Sequence, residues 1–498
     1  MGERSGCSAP IAILGIPIDP LTVPKTVQLF EAMIASRRPH YVVTPNVDFL
    51  VQAQADIELR RILCQADLVL CDGAPLVWAS RLLGNPLPER VAGSDVVPHF
   101  IKVAAEKGYR LFFLGSNPES AQRAIANLRA QYPTICIAGH HAPPFNRLLE
   151  MDHEEIKRQI LAAHPDVLFV CFGCPKQEKW MAMHYRSLGV PLAAGVGGTM
   201  DFLAGTVKRA PVWMRRSGTE WLFRLVQEPR RLFRRYTKDL WVFSTRLLLQ
   251  WWKLRFGKNP ASNVSDETRL PGVRNDSFYQ NDGCAVFLCP DRLDLETVSN
   301  QPVTQAWLAL NSETGTVKGH LLLDMSSVNF IDSTGIGLLV RLQKQAHANK
   351  KHLVLLAPSA AVQRALSVLH LGDFFPKAIN ASAARHLLRH LKHEHSVPRF
   401  HSPVTALEPL AWQGEITAAN AAEVWNSTRS RLAAVTPPHP WRIDLSAVRF
   451  IDSSGLGLML RLKRFALEQH RSLSFLTPSP PVLNVLRLSN LDKHLLQP

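Results

Sequence analysis

Residues 167–187 read VLFVCFGCPKQEKWMAMHYRS: an unbroken run of apolar β-formers, a Gly-Cys-Pro loop, then an amphipathic stretch of helical period. A short apolar run bounded by turn residues and followed by a helix is the unit of a sheet covered on both faces. The unit recurs in both directions along the chain. Candidate strands are IAILG, YVVTP, LVLCD, RLFFLGS, TICIAG and PLAAGVG, separated by helical segments such as TVQLFEAMIAS and SAQRAIANLRAQ. Strand–helix alternation from residue 11 to about 206 predicts a mostly parallel α/β sheet.

In such sheets ligands bind beyond the carboxyl ends of the strands, and polar residues cluster there. They are Thr44-Pro45-Asn46, Asp72-Gly73, Gly115-Ser116-Asn117, Gly173 to Glu178, and Gly195-Val196-Gly197-Gly198-Thr199. Asp72 has two readings: an N-cap for the following helix, or a general base at the open end of the sheet. The glycines Gly195, Gly197 and Gly198 could let backbone amides approach a diphosphate, although the run is not G-x-G-x-x-G. Cys171 and Cys174 form a lone C-x-x-C without a second pair to complete a zinc site, and read as packing residues near a strand end.

The chain has 498 residues, 46% hydrophobic and 20% charged, with a net charge of +16. This describes a globular protein of several domains. The charge is concentrated. Between Lys208 and Lys258 fourteen Lys and Arg face three acids, about +11 in one segment. That segment contains EWLFRLVQEPRRLFRRY (220–236) and predicts a basic, aromatic helical appendage with an anionic partner. The longest apolar run, LWVFSTRLLLQWW (240–252), is about 13 residues and carries Arg246, against roughly 20 needed for a span. The start of the chain does not read as a signal peptide, so the expectation is a cytoplasmic protein. His386 and His390 stand at i, i+4 but read as a solvated helix end, and no metal site is expected.

Beyond a Pro/Gly/Ser/Asn-rich stretch the chain repeats itself. GHLLLDMSSVNFIDSTGIGLLVRLQKQ (319–345) aligns without a gap with HPWRIDLSAVRFIDSSGLGLMLRLKRF (439–465), at a constant offset of 120 residues. LVLLAPS at 353 matches LSFLTPS at 473. Copies of this size predict duplicated domains rather than a solenoid.

The motifs VVTPNVDF, LCDGAPLVWASRLLG, ERVAGSD, FLGS, GCPKQE, GVGGTMDFLAGTVKRAP and EWLFRLVQEPRRLFRRY occur in order from residue 42 to 236. With them, residues 11 to about 245 resemble the WecG/TagA/CpsF family of bacterial glycosyltransferases. The resemblance implies a Rossmann-like transferase domain that moves an N-acetylated amino sugar from a UDP-sugar to a polyprenyl-diphosphate-linked sugar. It implies inversion at the anomeric carbon, no metal or other cofactor, and a place in cell-surface polysaccharide assembly. It implies Asp72 as the base, Thr44 and Asn46 as pocket residues, and Arg90 and Gln177 as substrate contacts. Arg224, Arg231 and Arg234 then lie over the active site as cations; spacings of seven and three put them on one helical face. Guanidinium groups suit the negative charge that builds on a departing UDP. The appendage aromatics suit a membrane surface, and nucleic acid is not the expected partner.

FIDSTGIGLL and FIDSSGLGLM each place Asp-Ser after an apolar strand and before a glycine-containing helix. The plain reading is a helix N-cap. Duplicated and flanked by matching strands, the pattern resembles the STAS domain of anti-sigma-factor antagonists, over about 285–390 and 404–495. That resemblance implies phosphorylatable Ser333 and Ser453 and a protein partner, whether a kinase-like or anti-sigma protein or a polysaccharide-assembly protein. The expected division is 1–206 transferase core, 207–256 appendage, 257–280 linker, 281–392 first STAS domain, 393–403 linker and 404–498 second STAS domain. The alternative from another class is a non-catalytic sensor of nucleotide-sugar or lipid acting through its STAS domains.

Overall fold

The computed structural model describes residues 9–207, 209–211, 213–214, 219–227, 229–256, 278–281, 284–300, 319–349, 351–372, 374–394, 409–434 and 440–496. The first strand expected from the sequence departs from the sheet. Its residues form β1 (Ile11–Ile13), which pairs antiparallel with β2 (Ile16–Ile18) as a separate hairpin. Leu14 and Gly15 turn the chain with φ of 48° and 85°, the two positive values that a tight two-residue hairpin turn requires.

The remaining expected strands make one parallel six-stranded sheet. They are β3 (His40–Val43), β4 (Leu68–Val69), β5 (Arg110–Gly115), β6 (Cys136–His141), β7 (Val167–Cys171) and β8 (Leu192–Gly195), in the order β4-β3-β8-β7-β5-β6. Apolar residues from the helices cover both faces of β7 and β8, whose positions are all buried. The last strand of the chain order, β8, inserts between β3 and β7. The carboxyl ends of β4, β3, β8 and β7 therefore stand side by side, and with them Asp72, Thr44, Gly195 and Gly173. Side chains start the surrounding helices: Thr22, Asn46, Asp56, Asn117 and Asp152 each accept a backbone N–H of the first turn.

The basic appendage is two helices, Glu220–Gln227 and Pro229–Phe256. Proline at the first position of the second helix restarts rather than bends it, because its missing N–H is not needed there. Trp221 meets Tyr236 edge to face across the pair. The long helix packs on the helix Val47–Gln52 near its beginning and on the first repeat further along.

In the first repeat, β9 (Phe278–Asn281) runs antiparallel to β10 (Cys284–Leu288), and β12 (His320–Asp324), β14 (Leu353–Leu356) and β15 (Lys377–Ala378) continue the sheet in parallel. A short parallel pair joins β11 (Arg292–Leu293) to β13 (Phe330–Ile331). β9 thus begins in the stretch expected as linker and ends at the first residue expected of the STAS domain. In the second repeat β16 (Leu410–Ile416), β17 (Trp441–Ile451) and β18 (Leu473–Leu476) are parallel. Each Asp-Ser motif does start a helix, Ser333–Ala348 and Ser453–Glu468, with Asp332 and Asp452 as N-caps.

One apolar cluster runs unbroken from Ile11, Ile13 and Leu50 into Ile336, Leu339 and Leu366 of the first repeat. The second repeat has its own cluster around Trp412, Ile443, Leu456 and Leu486. The wedge between sheet and first repeat is the hairpin: Ile11, Ile13, Ile16 and Ile18 are wholly buried, each contributing about 1.5–3 kcal/mol as an upper bound.

Candidate active site

Asp72 follows β4 and is partly exposed at the open edge of the sheet. It is not the helix cap. Gly73, with φ of 139°, occupies the cap position of the helix Ala74–Leu82, which has no side-chain cap bond. The backbone N–H of Asp72 donates to Pro45 O at 3.0 Å, tying the ends of β4 and β3 together. Asn46 beside it caps the helix Val47–Gln52, accepting from Phe49 N.

Behind this edge lies a set of residues whose polar atoms bond within the chain. Thr44 Oγ1 donates to Gly195 O at 2.9 Å. Gln177 is 1% exposed. Its Oε1 accepts the N–H of both Gly173 (3.1 Å) and Gly197 (3.2 Å), and its amide nitrogen donates to Glu178 Oε1 at 2.7 Å. Burial pushes the Glu178 carboxyl up to about 7, against the opposing pull of the Gln177 amide. A Cβ on Gly195 would stand 2.8 Å from Met181 Cε and 3.0 Å from Gln177 Nε2, so glycine there permits packing. Thr44, Gln177, Gly195 and Gly197, expected from the sequence as substrate contacts, thus bond to one another at the carboxyl edge of the sheet. Their groups lock the β3, β7 and β8 loops to each other, and Gln177 is the keystone. Gly198, exposed at the start of the short helix Thr199–Leu203, stays on the open side.

Arg90, the other expected substrate contact, is also held by groups of the chain. Its guanidinium lies between Asp95 (2.6 Å) and Glu220, the first residue of the appendage helix Glu220–Gln227. Burial alone would lower its pKa. The Asp95 and Glu220 carboxylates reverse that and hold it above the ordinary value, with Asp72 adding to the field. Arg209 reaches the other Asp95 oxygen at 2.5 Å. Arg90 thus fastens the appendage beside Asp72. Glu220, Asp95 and Arg209 carry this junction and were not singled out from sequence; only their presence in the quoted motifs pointed there.

Arg234 is exposed on the long appendage helix, while the side chains of Arg224 and Arg231 lie outside the described residues. Between the two helices a cleft of about 600 Å³ is lined by Leu225, Val226, Pro229 and Phe233, with Arg230 and Arg234 also on its wall. The long helix buries Leu232, Phe243, Leu247 and Gln250 and turns Phe233, Leu240, Trp241, Leu248 and Trp252 outward, Trp241 at 72% exposure. No helix among the described residues is long and apolar enough to cross a membrane. Cys171 and Cys174 are both free thiols, and among the described residues no group of His, Cys, Asp and Glu could hold a metal ion. The His386 expectation cannot be completed, because the His390 side chain is outside the described residues.

The model of the glycosyl transferase WecG/TagA/CpsF family matches residues 11–257. Curated relatives include N-acetylglucosaminyldiphosphoundecaprenol N-acetyl-beta-D-mannosaminyltransferases of Staphylococcus aureus strains MW2 and NCTC 8325. Each is 30% identical over 234 residues, covering 47% of this chain and 90% of the relative. The chain belongs to the WecG/TagA/CpsF glycosyltransferase family. STAS models match residues 280–385 and 408–498, so the transferase carries two STAS modules. Among solved structures, an anti-sigma factor antagonist from Thermotoga maritima is 21% identical, with 22% of this chain and 92% of that chain covered and a TM-score of 0.20. RsbS of Moorella thermoacetica gives 22% identity, 24% and 99% coverage, and a TM-score of 0.19.

The modules present their Asp-Ser ends inward. Ser333 is 1% exposed and its hydroxyl accepts from Gln250 Nε2 of the long appendage helix at 2.8 Å. Ser453 is 4% exposed and donates to Glu58 of the transferase. Both serines expected from the sequence as phosphorylatable are thus enclosed against the transferase.

Proposed function

We propose that this transferase moves an N-acetylated amino sugar of the N-acetylmannosamine type from a UDP-sugar to a polyprenyl-diphosphate-linked sugar, in cell-surface polysaccharide assembly. The observation that carries the reading is the junction of Asp72, Arg90 and Glu220, where a carboxylate at the open edge of the sheet stands beside the root of a cationic appendage. Asp72 takes the proton from the acceptor hydroxyl as its oxygen bonds to the anomeric carbon and the bond to UDP breaks. Attack opposite the leaving group inverts that centre. Charge growing on UDP is met by appendage guanidinium groups, with Arg234 the described candidate and Arg224 and Arg231 completing the set. One such preorganised donor contributes roughly 2.7–4 kcal/mol to the transition state. The reaction as written needs no cofactor.

The acceptor brings a lipid tail, and the appendage offers it two features. Its cleft is apolar with arginines on the wall, and its outward Trp and Leu side chains interleave with Arg and Lys, as an interfacial helix requires. The protein is thus read as working at the inner face of the cytoplasmic membrane. The STAS modules are read as docking units.

Purified protein would be given UDP-N-acetylmannosamine and a synthetic polyprenyl-diphosphate-linked N-acetylglucosamine, with product read by mass spectrometry. Wild type should turn over and Asp72→Asn should lose at least about a hundredfold. Equal rates in the two proteins would reject Asp72 as base, and no product from wild type with any UDP-sugar would reject the reading.

A further inference from the structure

The second STAS module meets the transferase through polar groups that converge on one carboxylate. Glu58, in the first turn of the helix Ile57–Gln65, is buried. Its Oε1 accepts the backbone N–H of Ser453 at 2.6 Å and its Oε2 accepts the Ser453 hydroxyl at 2.9 Å. Glu58 thus occupies the N-terminus of the module's helix, where backbone N–H groups favour an anion. Lys179 offsets the buried charge, with its ammonium 2.9 Å from Glu58 Oε2 and 2.7 Å from Asp56 Oδ2. One turn further along the same helix, Arg61 grips Glu415 with two bonds of 3.0 and 3.2 Å and lies over the Phe450 ring at 3.8 Å. Among the described residues, Leu149 is the one apolar transferase side chain packed on the module's apolar cluster.

This joint lacks what a merged core has. The module's own cluster is closed without the transferase, and the bonds across the interface are hydrogen bonds and ion pairs that water can replace. Because both parts belong to one chain, docking is intramolecular and modest contacts suffice to hold it.

We propose that the transferase face formed by Glu58, Arg61 and Lys179 is a receptor surface, and that its occupant is the second STAS module, bound in cis and separable without unfolding. The partner chemistry it fits is a helix N-terminus bearing a serine, flanked by an acidic side chain for Arg61. The assignment stands apart from the sugar-transfer reading. It has a consequence for the site all the same, since Lys179 sits two residues after Gln177 on the helix Lys176–Leu188. The residue that neutralises the module-binding Glu58 and the residue that locks the β7 and β8 loops share one helical turn.

Hydrogen–deuterium exchange on the full chain tests this. In Glu58→Ala the peptide carrying the Ser453 amide should exchange at least about tenfold faster than in wild type, while peptides within β17 keep their protection. Arg61→Glu should act in the same direction, and adding Glu415→Arg should restore protection by reversing the pair. Parallel loss of protection in β17 would mean that the module unfolds with its interface, and the proposal fails. Unchanged Ser453 exchange in both single variants, or no recovery in the reversed pair, overturns the receptor face itself.

Discussion

At Gly337 the first module has no room for one more carbon: a Cβ would stand 2.1 Å from Pro10 O and 2.7 Å from its carbonyl carbon. At Gly457, the equivalent position 120 residues on, the nearest atom would be Leu149 Cδ2 at 3.9 Å. The first glycine of each motif behaves alike in both copies, since Gly335 and Gly455 press on their own module's backbone at Leu293 O and Ile416 O. The second glycine does not. In the first copy it admits the hairpin of the transferase, and in the second it admits little. The same motif stands at both places, and at only one does its second glycine admit a close approach of the transferase backbone. Identical patterning therefore specifies the module but not how the module is joined.

Gly337→Ala should give the largest effect that separates the copies. The clash is with backbone, which a side-chain rotation cannot relieve, so a cost of about 1–3 kcal/mol is expected, enough to lower the unfolding midpoint by several degrees. Because one cluster spans transferase and first module, the loss should appear in both together. A midpoint unchanged from wild type would show that the hairpin does not pack this closely on the helix.

Gln250 comes next. Its Oε1 accepts Leu14 N at 2.9 Å, while its amide nitrogen donates to Ala12 O and Ser333 Oγ, both at 2.8 Å. Gln250→Ala would leave a buried N–H and carbonyl without partners and cost about 1–3 kcal/mol. At the second copy the matching partner is the Glu58 carboxylate, so the two serines rest on groups of different charge. Measured by denaturation, Gln250→Ala should destabilise the joint core and leave exchange at Ser453 unchanged.

The N-cap carboxylates differ in pH response. Burial, reinforced by Glu58, pushes Asp452 from 3.8 up to about 7. Burial pushes Asp332 from 3.8 up to about 6, against the N–H bonds from Gly335 and Thr334. Each folded pKa lies above its unfolded value, so each contributes stability that is full below about 4 and is lost as pH rises to the folded value. Between pH 6 and pH 7 the second module should weaken by about fivefold in exchange rate, after correction for intrinsic exchange, and the first by about twofold. Equal responses of the two modules across that interval would erase the distinction.

These contrasts also mark how far the sequence could be read. The parallel sheet was legible because VLFVC and LAAG are buried on every residue and say so by composition. The hairpin was not: IAILG has the same composition as a sheet strand, and only the positive φ at Leu14 and Gly15 takes it elsewhere. Asp72 was legible from its place after a strand and before a glycine. Arg90 and Gln177 were legible as important but their partners within the chain were not, because which groups a buried polar side chain bonds depends on contacts far apart in sequence. Glu58 reads as an ordinary first-turn acid. Nothing local announces that it will hold a serine 395 positions away.

The smallest expected effect is the control on the whole comparison. Gly457→Ala puts a methyl where ordinary van der Waals distance is available and removes a glycine from the interior of a helix, Ser453–Glu468. The helix should be stabilised by about 0.5–1 kcal/mol through the smaller entropy of the unfolded chain. Packing of the new methyl against Leu149 would add a few tenths more. A small rise in the second module's protection, set against the fall in Gly337→Ala, gives the same substitution opposite signs at paired positions. If Gly457→Ala instead destabilises to a similar extent, the second module is seated as tightly as the first, and its apolar independence from the transferase is lost with it.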